Sequence, residues 1–265
     1  MNTPTPISTG SIPEILSHVD AGVMTITLNR LDKKNSITSA MYGALADALE
    51  SANHDAAVRA VVIQGHETIF SAGNDIADFL DKPPATADAP VFRFLRGISS
   101  FPKPLVASVC GPAVGIGTTL LLHCDLVYAG DNAAFSMPFV NLGLCPEAAS
   151  SFLVPQLMGY PRAAEALLLG EPFMAETALE IGMINRIVPP SEANALAQRQ
   201  AQKLAAKPLS ALMETKRLMK KGNATLVAER MSEEATSFGR MLGEPAAREA
   251  FTAFMEKRRP DFSAV

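Results

Sequence analysis

Apolar positions along this chain follow two periods, and the switch between them outlines the fold. Residues 23–28 (VMTITL) alternate β-branched and apolar side chains and predict a strand; residues 60–64 (AVVIQ, closed by Gly65), 105–109 (LVASV) and 125–129 predict three more. Between them the spacing turns helical. Residues 39–53 put Met41, Leu45, Ala48 and Leu49 on one face, and residues 90–100 do the same with Val91, Phe94, Leu95 and Ile98. Residues 115–123 predict a third helix, entered from a turn at Gly111-Pro112. Residues 29–35 read as a polar loop. Residues 70–75 (FSAGND) read as a turn leading into a helical stretch that ends at Leu80. The Pro- and Ala-rich residues 82–89 read as a mobile loop, and residues 1–13 as a loose arm. Short strands alternating with helices imply an α/β core.

Beyond residue 161 the pattern is helical throughout, over 162–169, 175–181, 191–206, 210–221 and 226–242, with Ser191 placed to cap the third of these. Pro208 marks a boundary, giving a core over residues 1–207 and a C-terminal helical region over 208–265. No internal repeat or low-complexity tract is present.

Composition narrows the function classes. Of 265 residues, 48% are hydrophobic, which excludes a chain too polar to offset its own conformational entropy. The net charge of −4 gives no basic footprint for nucleic acid. Three cysteines are too few for a disulfide scaffold and fit a reducing compartment. No apolar run follows a basic start, so no signal peptide is expected. The apolar stretch over 105–127 contains Gly111-Pro112, Thr118, Thr119, His123 and Asp125, and reads as strand, turn and buried helix, not as a membrane span. Ser263-Ala264-Val265 is not a peroxisomal address, so a cytoplasmic protein is expected.

Candidate chemistry concentrates in one segment. Residues 104–161 contain no Lys or Arg and only three acids, Asp125, Asp131 and Glu147, as expected of a stretch buried on several sides. Asp125 fits a strand-start tie to backbone donors. The four histidines are scattered without metal-ligand spacing, and His123 fits a packing role. Cys110, Cys124 and Cys145 form no CxxC pair and have no evident base. Gly111, Gly115 and Gly117 lack the third glycine of a dinucleotide loop. Gly115-Ile116-Gly117 does open a helix, and its free N–H groups favour a negative oxygen. The Ala72-Gly73-Asn74-Asp75 turn offers a second set. Two such turns facing each other would form an oxyanion hole. Two roles are open to Glu147: a first-turn acid on a helix beginning near Pro146, or a buried base.

These residues resemble the crotonase, or enoyl-CoA hydratase/isomerase, superfamily. The likeness rests on FSAGNDI (70–76), KPLVASVCGPAVGIGTTLLLHCDLVYA (103–129), AAFSMPFVNLGLCPEAASS (133–151) and the AxxxGMINRIVP region (178–189), and spans residues 14–260. The resemblance implies a spiral of ββα units with a C-terminal helical region that packs a homotrimer or a dimer of trimers. It implies an acyl-CoA thioester as substrate and no cofactor beyond the coenzyme A the substrate carries. It places the oxyanion-hole donors at Asn74 and Ile116, and the substrate-binding residues at Lys33, Ala72, Gly73, Asp75, Ile76, Gly115 and Phe139. Lys33 and Lys34 either meet coenzyme A phosphates or are simply solvated. The Asp75 side chain fits a structural role.

The sequence departs from the hydratases of the superfamily at both of their acids: the matching positions hold Thr119 and Phe139. Hydration uses one group to activate water and another to deliver a proton, so ordinary hydratase activity is not expected. Instead, the pattern around Glu147 (LGLCPEAASS) resembles the peroxisomal-type Δ3,Δ2-enoyl-CoA isomerases, in which this Glu is the base. The implied reaction moves a 3-enoyl-CoA double bond to the 2-position through Glu147, whose pKa should be raised by Leu144, Phe152 and Phe139. The alternatives are a hydratase that uses Glu147 with water, another acyl-CoA reaction of the superfamily, or a non-catalytic protein that binds acyl-CoA or a partner. Met137 is placed to make an acyl pocket adaptable.

Overall fold

The computed structural model describes residues 12–81, 84, 86 and 88–263. The N-terminal arm lies almost wholly outside the described residues, and the 82–89 loop is only partly within them. Among the described residues, nine strands form two sheets: β1 (Ile15–Asp20), β2 (Val23–Leu28), β3 (Ala60–Gln64), β4 (Leu105–Val109), β5 (Pro112–Val114), β6 (Leu126–Gly130), β7 (Ala134–Ser136), β8 (Phe173–Met174) and β9 (Arg186–Val188). The larger sheet runs β1-β2-β3-β4-β6-β9, antiparallel at β1-β2 and parallel elsewhere. The smaller runs β5-β7-β8. The chain passes from one sheet to the other and back: β4 leads to β5, and β6 leads to β7. The segment after β3 joins the same pattern through a parallel bridge from Ser71 to Ala113. The result is a spiral of repeated units.

Side-chain alternation in the parallel strands explains why both faces are apolar. Val61, Ile63, Leu105, Ala107 and Val109 point into the main core with Ile26, Phe70 and Phe94. Val62, Val106 and Tyr128 point the other way, onto Leu196, Ala197, Ala201 and Ala205. A parallel sheet needs cover on both faces, and its strands therefore read as continuous apolar runs.

The helices are α1 (Ser39–His54), α2 (Ile76–Asp81), α3 (Pro90–Ser100), α4 (Ile116–Thr119), α5 (Ser150–Met158), α6 (Tyr160–Ala164), α7 (Ala175–Glu180), α8 (Pro190–Ala205), α9 (Leu209–Lys220), α10 (Ala224–Met241) and α11 (Pro245–Met255). Helices α1 and α3 pack together on one side of the larger sheet, and α8 covers the other. Among the described residues no helix is long and apolar enough to cross a membrane.

Several expectations need correction. Gly111-Pro112 does not simply turn the chain, because Pro112–Val114 is strand β5, paired with β7. The single helix over 115–123 is α4 followed by a 3-10 turn over Leu120–His123. The helix predicted over 162–169 begins earlier, at Tyr160, and ends in a π-helical turn. Ser191 does not cap α8: the helix begins at Pro190 with Pro189 ahead of it, and no side chain caps it. Proline suits that first position because the missing N–H would have been unpaired. Strands β1, β7, β8 and β9 and helix α11 lay below the sequence signal, being short, edge-like or mixed in polarity.

Two buried lysines, a half-buried aspartate and a buried histidine tie elements together. Lys103 donates from Nζ to the carbonyls of Ala52, Asp55 and Val58 at 2.6, 2.8 and 2.8 Å, closing the end of α1. Lys216 on α9 donates to the Lys103 carbonyl and to Asp125 Oδ2, at 2.8 and 2.7 Å. Asp125 Oδ2 also accepts from the Leu105 amide at 2.7 Å, the strand-start tie expected of it. His123 is 2% exposed and donates from Nε2 to the Ala148 carbonyl at 2.8 Å.

Candidate active site

Two backbone turns are stitched to one another. The Ser71 amide donates to the Pro112 carbonyl at 3.1 Å, and the Val114 amide donates to the Ser71 carbonyl at 2.9 Å. In the first turn, the Gly73 carbonyl accepts from Ile37 at 2.8 Å and the Asp75 amide donates back to Ile37 at 3.0 Å. Both neighbours of Asn74 are thus used on one side of the chain, and the Asn74 amide points to the other, where it meets no protein acceptor among the described residues. Gly73 is required here: its φ is +88°, and a Cβ would lie 2.9 Å from the Val114 carbonyl oxygen. In the second turn the Gly115 amide donates to Ser136, and the Gly115 carbonyl accepts from Thr118 and Thr119, each at 2.9 Å. Ile116 opens α4, so its amide has no partner within the helix, and it meets no protein acceptor among the described residues.

Both free amides open onto one cavity of about 440 Å³, lined also by Lys33, Lys34, Ala72, Gly73, Asp75, Ile76, Gly115 and Phe139. Every residue expected to bind substrate is therefore brought to one place. Lys33 and Lys34 sit exposed at its rim. Asp75 is held by Arg30 Nη1 at 2.6 Å and by the Ser36 hydroxyl at 3.2 Å. Burial raises its pKa, but the Arg30 hydrogen bond and charge, the Asp78 amide and Ser36 together outweigh this and hold it low. Its carboxylate is a structural tie.

Glu147 is 8% exposed and opens into a second cavity of about 660 Å³. No helix begins near Pro146; α5 starts at Ser150, so Glu147 is not a first-turn acid. Ala148 and Ala149 are both left-handed, with φ of 58° and 56°, and this turn carries Glu147. Thr119 Oγ1 donates to Glu147 Oε1 at 3.4 Å. Among the described residues no Lys, Arg or His pairs with the carboxyl. Burial pushes its pKa up to about 8, with the charge of Glu234 adding to the rise and the Thr119 hydrogen bond opposing it. The expected direction holds, but the walls differ from those expected. Phe79, Val91, Leu95, Phe238 and Leu242 line the Glu147 cavity, while Phe139 and Leu144 line the amide cavity.

The two cavities share Phe79 and Phe238, whose rings meet edge to face with centroids 6.1 Å apart. Tyr42 links them from behind. Its hydroxyl donates to the Asn74 side-chain oxygen, and burial together with the Glu147 charge keeps the phenol protonated by raising its pKa well above the ordinary 10.0. Tyr42 carries no local sequence signal of its own, because it sits among the other buried residues of α1. Glu234 was masked in the same way by the acidic run Glu233-Glu234, a pattern that ordinarily means a solvated face. Cys145 is unsuited to attack, since burial first and then Glu234 push its thiol up. Among the described residues no cluster of three or more His, Cys, Asp or Glu is placed to hold a metal.

A paired-turn amide cradle beside a buried carboxyl, on a two-sheet spiral, can be set against known proteins. The sequence model described as enoyl-CoA hydratase/isomerase matches residues 18–264. The chain belongs to the enoyl-CoA hydratase/isomerase family. It is 36% identical over 259 residues to the 1,2-epoxyphenylacetyl-CoA isomerase of Escherichia coli (strain K12), covering 94% of this chain and 98% of that protein. It is 38% identical over 229 residues to enoyl-CoA delta isomerase 2 of Rattus norvegicus, covering 84% of this chain and 58% of that protein. Among solved structures, OdaA of Pseudomonas aeruginosa superposes with a TM-score of 0.89 at 45% identity, over 91% of this chain and 98% of that one. The fold is accordingly the crotonase fold, and this member of the family is an enzyme of acyl-CoA hydratase/isomerase chemistry.

Proposed function

We propose that this protein is a Δ3,Δ2-enoyl-CoA isomerase. The observation that carries the reading is a nearly buried, cation-free carboxyl, Glu147, in an apolar cavity that shares two walls with a pair of unpaired amides. The thioester carbonyl oxygen accepts from the Asn74 and Ile116 amides. The Glu147 carboxylate removes a proton from C2 of the 3-enoyl group. The C2–H bonding pair forms the C1–C2 double bond of a dienolate, and the negative charge passes to the oxygen held by the amides. The same carboxyl then returns the proton to C4, the double bond settles between C2 and C3, and Glu147 is again ionised. No water, metal or redox group takes part; coenzyme A enters with the substrate.

A base with a pKa near 8 is strong enough to abstract a carbon-bound proton once the amides have acidified it, and still ionises within the working range of pH. Thr119 stands where a hydratase of the superfamily carries an acid, and here it only donates a hydrogen bond to the single carboxyl. Lys33 and Lys34 at the rim of the amide cavity suit the coenzyme A phosphates. Exposed Met219, Phe254 and Met255 on the C-terminal helices support assembly as a homotrimer or a dimer of trimers.

The test compares wild type with Glu147→Gln on 3-enoyl-CoA and, separately, on 2-enoyl-CoA. Isomerisation should fall about a thousandfold with KM within about threefold of wild type. Below pH 8 the wild-type kcat/KM should rise about tenfold per pH unit, as expected for a base that must first ionise. Hydration of 2-enoyl-CoA without isomerisation, or undiminished turnover in the variant, would overturn the reading.

A further inference from the structure

Glu147 and Glu234 are the two buried carboxylates among the described residues, and both line the same cavity. Glu234 belongs to α10, and its oxygens are fully engaged. Oε2 accepts from the Ala149 amide at 2.6 Å, while Oε1 accepts from the Ser151 amide at 3.0 Å and the Ser151 hydroxyl at 2.5 Å. All three donors are uncharged, and all lie within four residues of Glu147. The Ala149 amide belongs to the turn in which Ala148 and Ala149 are left-handed, a conformation that L side chains adopt at a cost, and the two Ser151 donors belong to the first turn of α5 that follows it. Burial raises the pKa of Glu234 above its ordinary value, while the Ser151 and Ala149 donors and the Arg230 charge oppose that rise and favour the anion. Its placement at the N-terminal end of α5 favours the same state.

We propose that Glu234 is a positioning residue for Glu147, clamping the left-handed turn that carries the base and fixing a negative charge beside it. The proposal rests on the reading of Glu147 as the proton shuttle. A like charge in a poorly solvated cavity favours the protonated carboxyl, so Glu234 makes Glu147 a stronger base. Other groups around Glu147 are the Tyr42 phenol from α1, the Thr119 hydroxyl from α4 and the Cys145 thiol of its own segment. Arg96 of α3 lines the cavity and pairs with Asp88. Arg230 and Arg240 of α10 stand near Glu234 and Cys145 respectively, and they pair with Glu233 and Glu244. None of these supplies Glu147 with a cation, which leaves Glu234 as the neighbouring charge that adds to the rise burial produces.

The experiment uses full-length Glu234→Gln and Glu234→Asp. It reads the pH profile of 3-enoyl-CoA isomerisation, the 13C carboxyl titration of Glu147 in the free enzyme (assigned by its loss in Glu147→Gln), and Tm. In Glu234→Gln the acid limb of kcat/KM and the Glu147 midpoint should both move down by about one pH unit. The kcat plateau should fall about tenfold, with KM within about threefold. Glu234→Asp keeps the charge and should restore the midpoint while leaving kcat lowered. An unmoved limb and midpoint in Glu234→Gln overturn the proposal, whatever happens to Tm. Should the Gln variant not fold, Glu234→Asp decides alone: kcat equal to wild type overturns the clamp, and a lowered kcat with an unmoved midpoint supports it. If wild type does not isomerise at all, the reading of the reaction fails, yet the titration still reports whether Glu234 governs the proton on Glu147.

Discussion

The two cavities on either side of the Phe79–Phe238 pair are built from different materials. The amide cavity takes its polar groups from main chain, fixed by Gly73 and Gly115 and by hydrogen bonds between turns. The Glu147 cavity takes its character from side chains of α2, α3 and α10, which are far apart in sequence. One is a matter of where N–H groups point, the other of what surrounds a charge. On the proposed reading of the site, the difference teaches that stabilising an anion on the substrate and tuning a base on the enzyme can be varied independently.

The largest expected effect sets stability against function in the side-chain cavity. The folded pKa of Glu147, about 8, lies above its ordinary value of 4.5, so the folded state binds the extra proton between these limits. This favourable contribution is complete below about pH 4.5 and is lost as pH rises through 8. Glu147→Gln cannot ionise. It should match wild type near pH 4 and exceed it by about 5 kcal/mol at pH 9, read from urea unfolding at the two pH values. Equal stability at both would mean that the carboxyl is solvated. Next in size is Gly73→Ala, which pushes a Cβ against the Val114 carbonyl and re-aims the Asn74 amide. Isomerisation kcat should fall about a hundredfold while the acid limb of the pH profile stays in place. A shift of that limb would break the separation between the two cavities. The smallest is Phe238→Ala, which opens the shared wall. The kcat/KM ratio of a longer to a shorter 3-enoyl-CoA should rise about tenfold, and an unchanged ratio would show that the acyl group does not reach this wall.

The same contrast governs what could be read in advance. The strands at 60–64 and 105–109 and the helix at 90–100 were legible to the residue, because a parallel sheet buried on both faces writes continuous apolar runs and an amphipathic helix writes its own period. The amide turns were legible because glycine at a positive φ is a local requirement. Strand β5, of three residues including Pro112, is stabilised by partners that no local pattern announces. The walls of the cavity that Glu147 opens into were out of reach for a related reason: Phe79 and Phe238 arrive from 68 positions before it and 91 after it. Tyr42 and Glu234 look ordinary in sequence, since what distinguishes them is burial beside a remote group.

The hydrogen bond between the Ala149 amide and Glu234 spans 85 positions. It orders events on the ribosome. Once residue 136 has emerged, the chain carries all the groups that pair its two amide turns. At about 5–20 residues per second, the helix that secures the base follows about 4–17 s after the base itself. On the two proposals made above, a nascent or prematurely ended chain would hold the oxygen-binding half of its site without a secured proton carrier, and catalytic competence would be conferred by one of the last helices made.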